Sequence, residues 1–482
     1  MMTLLCFVTS AFELCYGLYG LSMISLVTIL TGEMFRRAKP HEREELADAR
    51  NNLWSLNKQP FGLKHQFCTL NHGLRLHYVI REPTNKPRHS NIVIFIHGFP
   101  DSWAVWKHQL TSEMLYDATL IAVDVPGSGG SDGLDRYNAT SVLEAVSQFI
   151  VKMRDIYLRN TSGDNRDGQV IVVAHDWGAI IAFRLASEAP QLADRFIMTN
   201  SIHPSLTLSN VISRVASAKL MLKTWTRSPR SISLLRKAFA NLLPILSQIL
   251  KSWYIFVFRL PMPLAASVGC IGDFSFFRFL SATAHSQKSP RIPGPKGAEA
   301  LAETVGPGEA ECVVVEGGHP THTYGPDVKA RARTGGWATR IRLYREGLFS
   351  GPWEKSLETM WKLEQLEEAR TRSSSAGGSC GGLFNTGPVG ALMQSSTVVW
   401  GMEDPALDSR LNLEGMGDYM SAKGSQVVQV KGVGHWTPIE EGCREVLVEV
   451  VAWAVGGEKR GKLSEVLSSK SRMDHVKVAI EK

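Results

Sequence analysis

The chain has 482 residues, 44% hydrophobic and 21% charged, enough to bury a sizeable core and to form one large domain with an inserted subdomain, or two ordinary domains. Its 53 basic and 46 acidic residues leave a formal charge of +7, and no basic run interleaves with aromatics, so nucleic acid is not an expected partner. The seven cysteines are scattered, odd in number and never paired as Cys-x-x-Cys, which argues against a disulfide scaffold and against a zinc site.

From Leu14 to Leu30 the chain reads LCYGLYGLSMISLVTIL without a charge, long enough to cross a bilayer. A secretory signal would carry a basic residue before this run and a small-residue cleavage site after it, and neither is clear. Residues 1–35 are therefore expected to be a retained membrane anchor, with a cleaved signal or an interfacial helix as the alternatives. Arg36, Arg37 and Lys39 follow the run, so the positive-inside rule puts the remainder on the cytosolic side. The glycosylation acceptors Asn138-Ala-Thr140 and Asn160-Thr-Ser162 would matter only in a lumenal protein.

Residues 36–62 form a polar, charged link. His65–Leu70 and Leu74–Ile80, joined at Asn71-His72-Gly73, predict an antiparallel hairpin. Short apolar runs then recur at Ile92–Ile96, Leu120–Val123, Val170–Val173, Phe196–Met198, Val398–Trp400 and Val427–Val430, as expected of strands buried on both faces. Val142, Val146, Phe149, Ile150 and Met153 recur at helical spacing between two of them. Such alternation predicts a mostly parallel sheet flanked by helices, in two parts, 63–204 and 393–457.

The alternation breaks over 205–392, which reads as an inserted helical cap. Long helical segments over Leu206–Phe258 give way to a Gly- and Pro-rich stretch, 286–336, expected to be disordered or poorly packed. Ser373–Gly382 is a second soft joint. The charged tail, 458–482, is expected to be a solvated helix or coil.

Between the strand at Val170 and the helical pattern from Gly178 stands Ala174-His175-Asp176-Trp177-Gly178. This has the form of a nucleophile elbow, with Asp in the place of Ser. A carboxylate there attacks a saturated carbon and leaves an alkyl ester, whereas a serine attacks a carbonyl. The competing reading of Asp176 is a helix N-cap. Upstream, Ile92–Ile96 runs into His97-Gly98-Phe99-Pro100, where such folds place an oxyanion-hole donor; the N–H groups of Phe99 and Trp177 would be the pair. The loop Asp124–Asp132 is glycine-rich but lacks the lysine and helix start of a phosphate loop, and reads as structural turn chemistry. Late in the chain, Asp404 follows one strand and His435 the next. The order nucleophile, acid, histidine is that of the α/β-hydrolase fold, in which His435 would activate water and Asp404 would orient it. His175 reads as a packing residue, and His319 and His322 as loop residues.

With HGFPDSW, AHDWGA and GHWTP, the chain resembles the epoxide hydrolases of the α/β-hydrolase superfamily, especially the membrane-anchored animal type, over most of Leu63–His203, then Trp253–Leu280 and Ser396–Trp453. The resemblance implies an α/β-hydrolase fold with an inserted cap, opening of a lipophilic epoxide to a vicinal diol, no cofactor, and residence in the endoplasmic reticulum membrane. It also implies two cap tyrosines that bind the epoxide oxygen and give it a proton. Tyr254, in Tyr254-Ile-Phe-Val-Phe-Arg-Leu-Pro261, matches the first, and Tyr344, in Leu343-Tyr344-Arg345, the second, with Tyr324 as fallback. Trp177, Tyr254 and Tyr344 would line the substrate site. A haloalkane dehalogenase, which needs halide donors and no cap tyrosines, and an inactive membrane-tethered binding protein are the rival readings.

Overall fold

The computed structural model describes residues 2–83, 91–158, 168–285, 289, 291–313, 323–373, 387–420, 422–470 and 473–482. Among the described residues there are nine strands: β1 (Lys64–Thr69), β2 (Arg75–Arg81), β3 (Ile92–Ile96), β4 (Thr119–Val123), β5 (Val170–His175), β6 (Arg195–Thr199), β7 (Ser396–Gly401), β8 (Gln426–Val430) and β9 (Val476–Glu481). They make one sheet in the order β1-β2-β4-β3-β5-β6-β7-β8-β9. The hairpin β1–β2 lies antiparallel at one edge, with Phe67 opposite His77, and β9 lies antiparallel at the other. From β4 to β8 all pairings are parallel, with Ile94 of β3 between Ile121 of β4 and Val172 of β5. Every residue of β3, β4, β5 and β7 is buried, because helices cover both faces. One such helix, Ala139–Tyr157, turns Val142, Val146, Phe149 and Met153 inward. It begins at Asn138, whose side chain accepts from the Ser141 N–H at 2.8 Å.

The insertion leaves the sheet after β6 and returns at β7. It opens with the helices Pro204–Arg227 and Ile232–Lys251, packed as a hairpin, followed by Trp253–Arg259 and a layer of shorter helices. Buried arginines bind this layer to the core. Arg340 donates to the carbonyls of Pro100 and Thr304, and Arg331 to that of Gly129 at 2.9 Å. On the far side, Lys251 donates to the carbonyls of Asp404 and Leu407, and Gln248 to that of Ala406 at 3.0 Å.

Three sequence expectations are corrected. Over its described residues, the Gly- and Pro-rich stretch 286–336 is not disordered: Gly294–Val305 is a helix with Ala298, Leu301, Ala302 and Val305 buried. Nor are residues 36–62 a mere link. Pro40–Trp54 is a helix that packs on Gly294–Val305, and the Trp54 indole donates to the Ala302 carbonyl at 2.9 Å. The tail holds a helix, as one of the two expected forms, but it is not merely solvated: Leu463–Ser468 buries Leu463 and Leu467, and Val476–Glu481 adds the edge strand β9. His319 and His322 lie outside the described residues.

Near the N-terminus, the helix Met2–Leu30 contains a stretch, Thr9–Leu30, that is long and apolar enough to cross a membrane. It does not stand free. Tyr16 packs on Phe256 with ring centroids 4.9 Å apart, and Glu13 pairs with Arg259 at 3.3 Å.

Candidate active site

The C-terminal ends of β3, β5, β7 and β8 converge at one edge of the sheet, the edge where ligands collect in open parallel sheets. β5 ends at Asp176, which holds φ 50° and ψ −119°, a conformation rare outside glycine, before the helix Trp177–Glu188 starts. Two glycines permit that turn. A Cβ on Gly178 would sit 2.3 Å from the Ile96 carbonyl oxygen, and one on Gly98 would sit 2.5 Å from the Asp176 Cβ and Oδ2. The Asp176 side chain makes no capping bond to its helix, so the N-cap reading fails. Instead its Oδ2 accepts the Phe99 N–H at 2.8 Å, and Ser201 donates to its backbone carbonyl at 2.6 Å.

His435 stands between two carboxylates. Its Nδ1 lies 2.8 Å from Asp404 Oδ2, and its Nε2 lies 3.6 Å from Asp176 Oδ1. Asp404 is held in turn by Asn200 at 2.7 Å and by the N–H groups of Ala406 and Leu407 at 2.7 and 2.9 Å. Burial works against an imidazolium at His435, but Asp404 and Asp176 outweigh it and lift its pKa well above the ordinary histidine value. Burial likewise opposes charge on Asp404 and Asp176. The charge of His435, with its hydrogen bond and that of Asn200 for the first and with the Phe99 N–H for the second, holds both carboxyls below their usual range.

Opposite the elbow, the insertion brings Tyr254 and Tyr344 together, their rings 6.2 Å apart. Tyr344 lies edge-on to Trp177 at 4.7 Å and to Phe99 at 5.3 Å. Burial, then Asp176 and Asp404, raise the Tyr254 pKa; burial, then Tyr254 and Asp176, raise that of Tyr344, so both phenols keep their protons. Phe258 and Trp337 complete an aromatic wall behind them. The fallback Tyr324 is elsewhere, its hydroxyl spent on the Trp54 carbonyl at 2.7 Å.

The other sequence candidates are structural. Burial lowers His175 to about 3, and its Nδ1 meets the Thr199 hydroxyl at 3.0 Å. His97 is lowered by burial to about 4; it accepts the Val125 N–H and donates to the Gly98 carbonyl. The glycine-rich loop wraps the Asp124 carboxylate, which takes the Gly130 and Trp103 N–H groups at 2.8 Å each. Two groups at the site were not anticipated. Asn200, at φ 36°, ties Asp404 to the Gly401 backbone. Asp101 is buried beside Asp176, and burial, then the Asp176 charge, push its pKa up to about 7. The first was detectable only as an Asn just past a strand, and the second lay inside HGFPDSW without a role. Among the described residues, no group of His, Cys, Asp or Glu is placed to hold a metal ion.

A nucleophile elbow, an acid and a histidine in this order on a mostly parallel sheet define the α/β-hydrolase class. The family model described as "Alpha/beta hydrolase family" matches residues 93–449, and the chain belongs to that family. Among curated relatives, it is 32% identical to epoxide hydrolase 2 of Caenorhabditis elegans over 29% of this chain and 35% of that one. It is 28% identical to epoxide hydrolase 4 of Mus musculus over 40% of this chain and 47% of that one. The matches thus span less than half the length of those relatives. The solved Cif epoxide hydrolase of Acinetobacter nosocomialis superposes with a TM-score of 0.50 at 15% identity, over 86% of this chain and 97% of that one, a likeness of fold.

Proposed function

We propose that this chain is an epoxide hydrolase that converts lipophilic epoxides to vicinal diols, with 63–204 and 393–457 as the hydrolase core and 205–392 as its cap. The observation that carries the reading is the pair of un-ionised phenols, Tyr254 and Tyr344, held across from a carboxylate nucleophile. A dehalogenase has no use for proton donors at that place.

Asp176 attacks an epoxide carbon from behind; the C–O bond breaks, and the ring oxygen takes a proton from one of the tyrosines, leaving an alkyl ester and a phenolate. Esterification erases the Asp176 charge, one of the two that support the imidazolium. His435 then sheds its proton, which regenerates the phenol, and becomes a base. It accepts a proton from water as the water attacks the ester carbonyl carbon, and the Phe99 and Trp177 N–H groups hold the oxyanion. Collapse expels the diol alkoxide, which takes the carboxyl proton, and the carboxylate–imidazolium pair is restored. Asp404 keeps the imidazole in one tautomer throughout.

Residues 1–35 serve in this reading as a membrane anchor in the endoplasmic reticulum, with the catalytic part on the cytosolic side where Arg36, Arg37 and Lys39 emerge. Hydration of lipid-derived or foreign epoxides would suit that setting. The test is a screen of fatty-acid, terpenoid and aryl epoxides with the purified chain. Diol formation that disappears in Asp176→Asn is expected; halide release from haloalkanes without diol formation would replace the reading with a dehalogenase, and no turnover of either would favour an inactive homologue.

A further inference from the structure

The helix Met2–Leu30 does not leave the domain and then enter a membrane. It runs along the insertion. Gly17 and Gly20 are buried against the helix Trp253–Arg259: a Cβ on Gly17 would meet the Phe256 carbonyl oxygen at 2.5 Å, and one on Gly20 would meet Val257 at 2.8 Å. Phe12 and Tyr16 clasp Phe256, and beyond the apolar stretch Glu33 pairs with Arg291 and accepts from Ser275 at 2.8 Å. The distance from Phe12 to Glu33 is about 30 Å along a helix, close to the whole hydrocarbon thickness. An anchor attached over that length brings the adjoining insertion helices to the membrane with it. Its outward residues, Leu18, Tyr19, Met23, Val27 and Leu30, are exposed in the protein.

The helical hairpin that runs on into Trp253–Arg259 carries a surface of the same kind. On Pro204–Arg227, Leu208, Ile212, Val215 and Leu222 recur at intervals of three, four and seven residues and are exposed, Ile212 at 61%. On Ile232–Lys251 the same spacing exposes Ile232, Phe239, Leu243, Leu246 and Leu250, with Phe239 at 58%. Ala218 and Ala238 on the same helices are buried, whereas these stripes are exposed and so surplus to the fold. With the bent continuation Trp253–Arg259, the second helix is long and apolar enough to count as a membrane segment, turned by 54°. Charge points the same way. Between Pro204 and Arg259 there are nine basic residues and no acidic one. Six of the nine, Lys219, Lys223, Arg227, Arg230, Arg236 and Lys237, are exposed around the hairpin tip.

We infer that the hairpin Pro204–Lys251 is a second membrane element, lying in the headgroup and acyl boundary of an anionic bilayer, with its apolar stripes in the lipid and its basic tip on the headgroups. A helix this amphipathic and this basic, running on into the segment Trp253–Arg259 that packs against the anchor, fits a bilayer better than a second copy of the chain, whose equivalent surface would repel it. The protein would then sit with its cap against the membrane, and not on a stalk above it. The inference rests on the membrane role of Met2–Leu30 and not on epoxide chemistry.

The test uses the full chain in phosphatidylcholine vesicles with and without phosphatidylserine, with Cys6, Cys15, Cys270 and Cys380 replaced by serine. A single NBD label is placed by Ile212→Cys, Leu243→Cys, Leu18→Cys or, as a solvent control, Trp361→Cys. Labels at 212 and 243 are expected to be quenched by doxyl lipids and spared by aqueous iodide. Joint replacement of Lys223, Arg227, Arg230 and Arg236 by Glu should cut their lipid quenching in the anionic vesicles by roughly twofold or more, with thermal unfolding unchanged. Iodide quenching at 212 and 243, with lipid quenching kept at 18, overturns the inference and leaves the anchor standing. Shielding from both quenchers together with a dimeric mass overturns it in favour of a second copy. Iodide quenching at 18 as well removes the anchor reading and the inference with it.

Discussion

The Nε2 of His435 lies 3.6 Å from the Oδ1 of Asp176, an ion-pair separation longer than an ordinary hydrogen bond, while its other nitrogen is committed to Asp404 at 2.8 Å. In the proposed mechanism the same imidazole neutralises the nucleophile at rest and is freed as a base once the nucleophile is esterified. Replacing His435 by Gln should spare ester formation and slow ester hydrolysis by about 10²- to 10⁴-fold. Intact-mass analysis after mixing the variant with an epoxide should then show the chain plus one substrate, and an unmodified mass with normal diol yield would exclude this role.

The pH dependence follows from the same pair. In the free protein both carboxylates hold the His435 proton, so its pKa is high; in the ester only Asp404 remains and it falls. Ester hydrolysis needs the neutral ring and must weaken as pH drops through that lower value. Single-turnover quenching at about pH 5 and about pH 8 should find more ester at the acid condition in the wild-type chain. Equal amounts at both would sink the account.

In the proposed mechanism Tyr254 and Tyr344 act on the other half-reaction. Their raised pKa values keep both protonated through the neutral range, so loss of one hydroxyl removes a donor and leaves the fold's aromatic wall in place. Tyr254→Phe and Tyr344→Phe should each slow ester formation, and the double variant should slow it by on the order of 10²-fold or more. Stopped-flow fluorescence of the nearby Trp177 can follow the step. A double variant with wild-type ester formation would remove the tyrosines from the mechanism.

The sheet and the meeting of Asp176, Asp404 and His435 were legible because each depends on local pattern: β-branched runs mark the strands, and the three residues each follow one. Other parts were hidden for physical reasons. The helix Gly294–Val305 packs so closely on Pro40–Trp54 that its inward face is largely alanine, and it reads as low in hydrophobicity although Ala298, Leu301 and Ala302 are buried. Pro40–Trp54 itself turns only Leu46, Leu53 and Trp54 fully inward and so looks like a charged link. β9 does carry a signal, since Val476, Val478 and Ile480 alternate with Lys477, Ala479 and Glu481, but the charge of the tail masks it. Asn200 could not be found this way, because its partner Asp404 lies 204 residues further on.

Asp101 offers a test in which stability and pH are linked. Its carboxyl titrates near 7 in the folded protein against 3.8 ordinarily, because burial and the adjacent Asp176 penalise its charge. The folded state thus binds a proton that the unfolded state has already lost. Asp101 costs nothing below the ordinary value, costs progressively more as pH rises through the window between 3.8 and about 7, and levels off above it. Asp101→Asn keeps the shape without the charge, so its stabilising effect should be small at acid pH, grow across that window and reach on the order of 2 kcal/mol or more on the alkaline side. Thermal unfolding of both proteins at several pH values measures the difference. A gain independent of pH would show that Asp101 is not the group that titrates.

The elbow makes the sharpest structural demand. A methyl group on Gly178 would lie 2.3 Å from the Ile96 oxygen and 2.6 Å from the His97 oxygen, both backbone atoms at the end of β3 that cannot swing aside. Relief requires β3 and the helix Trp177–Glu188 to separate, and that shift carries the Phe99 N–H away from the Asp176 carboxylate it now meets at 2.8 Å. Gly178→Ala should therefore lower stability by about 1–3 kcal/mol or more and cost activity beyond its effect on folding. Gly432→Ala is the control, because Gly432 also sits in a site loop but has open space where a Cβ would go. Its φ of 71° limits the expected penalty to the backbone strain of that conformation, about 1 kcal/mol. Urea unfolding and turnover of the two variants side by side measure both effects, and a Gly178→Ala protein as stable and as active as Gly432→Ala would contradict the close packing of the elbow.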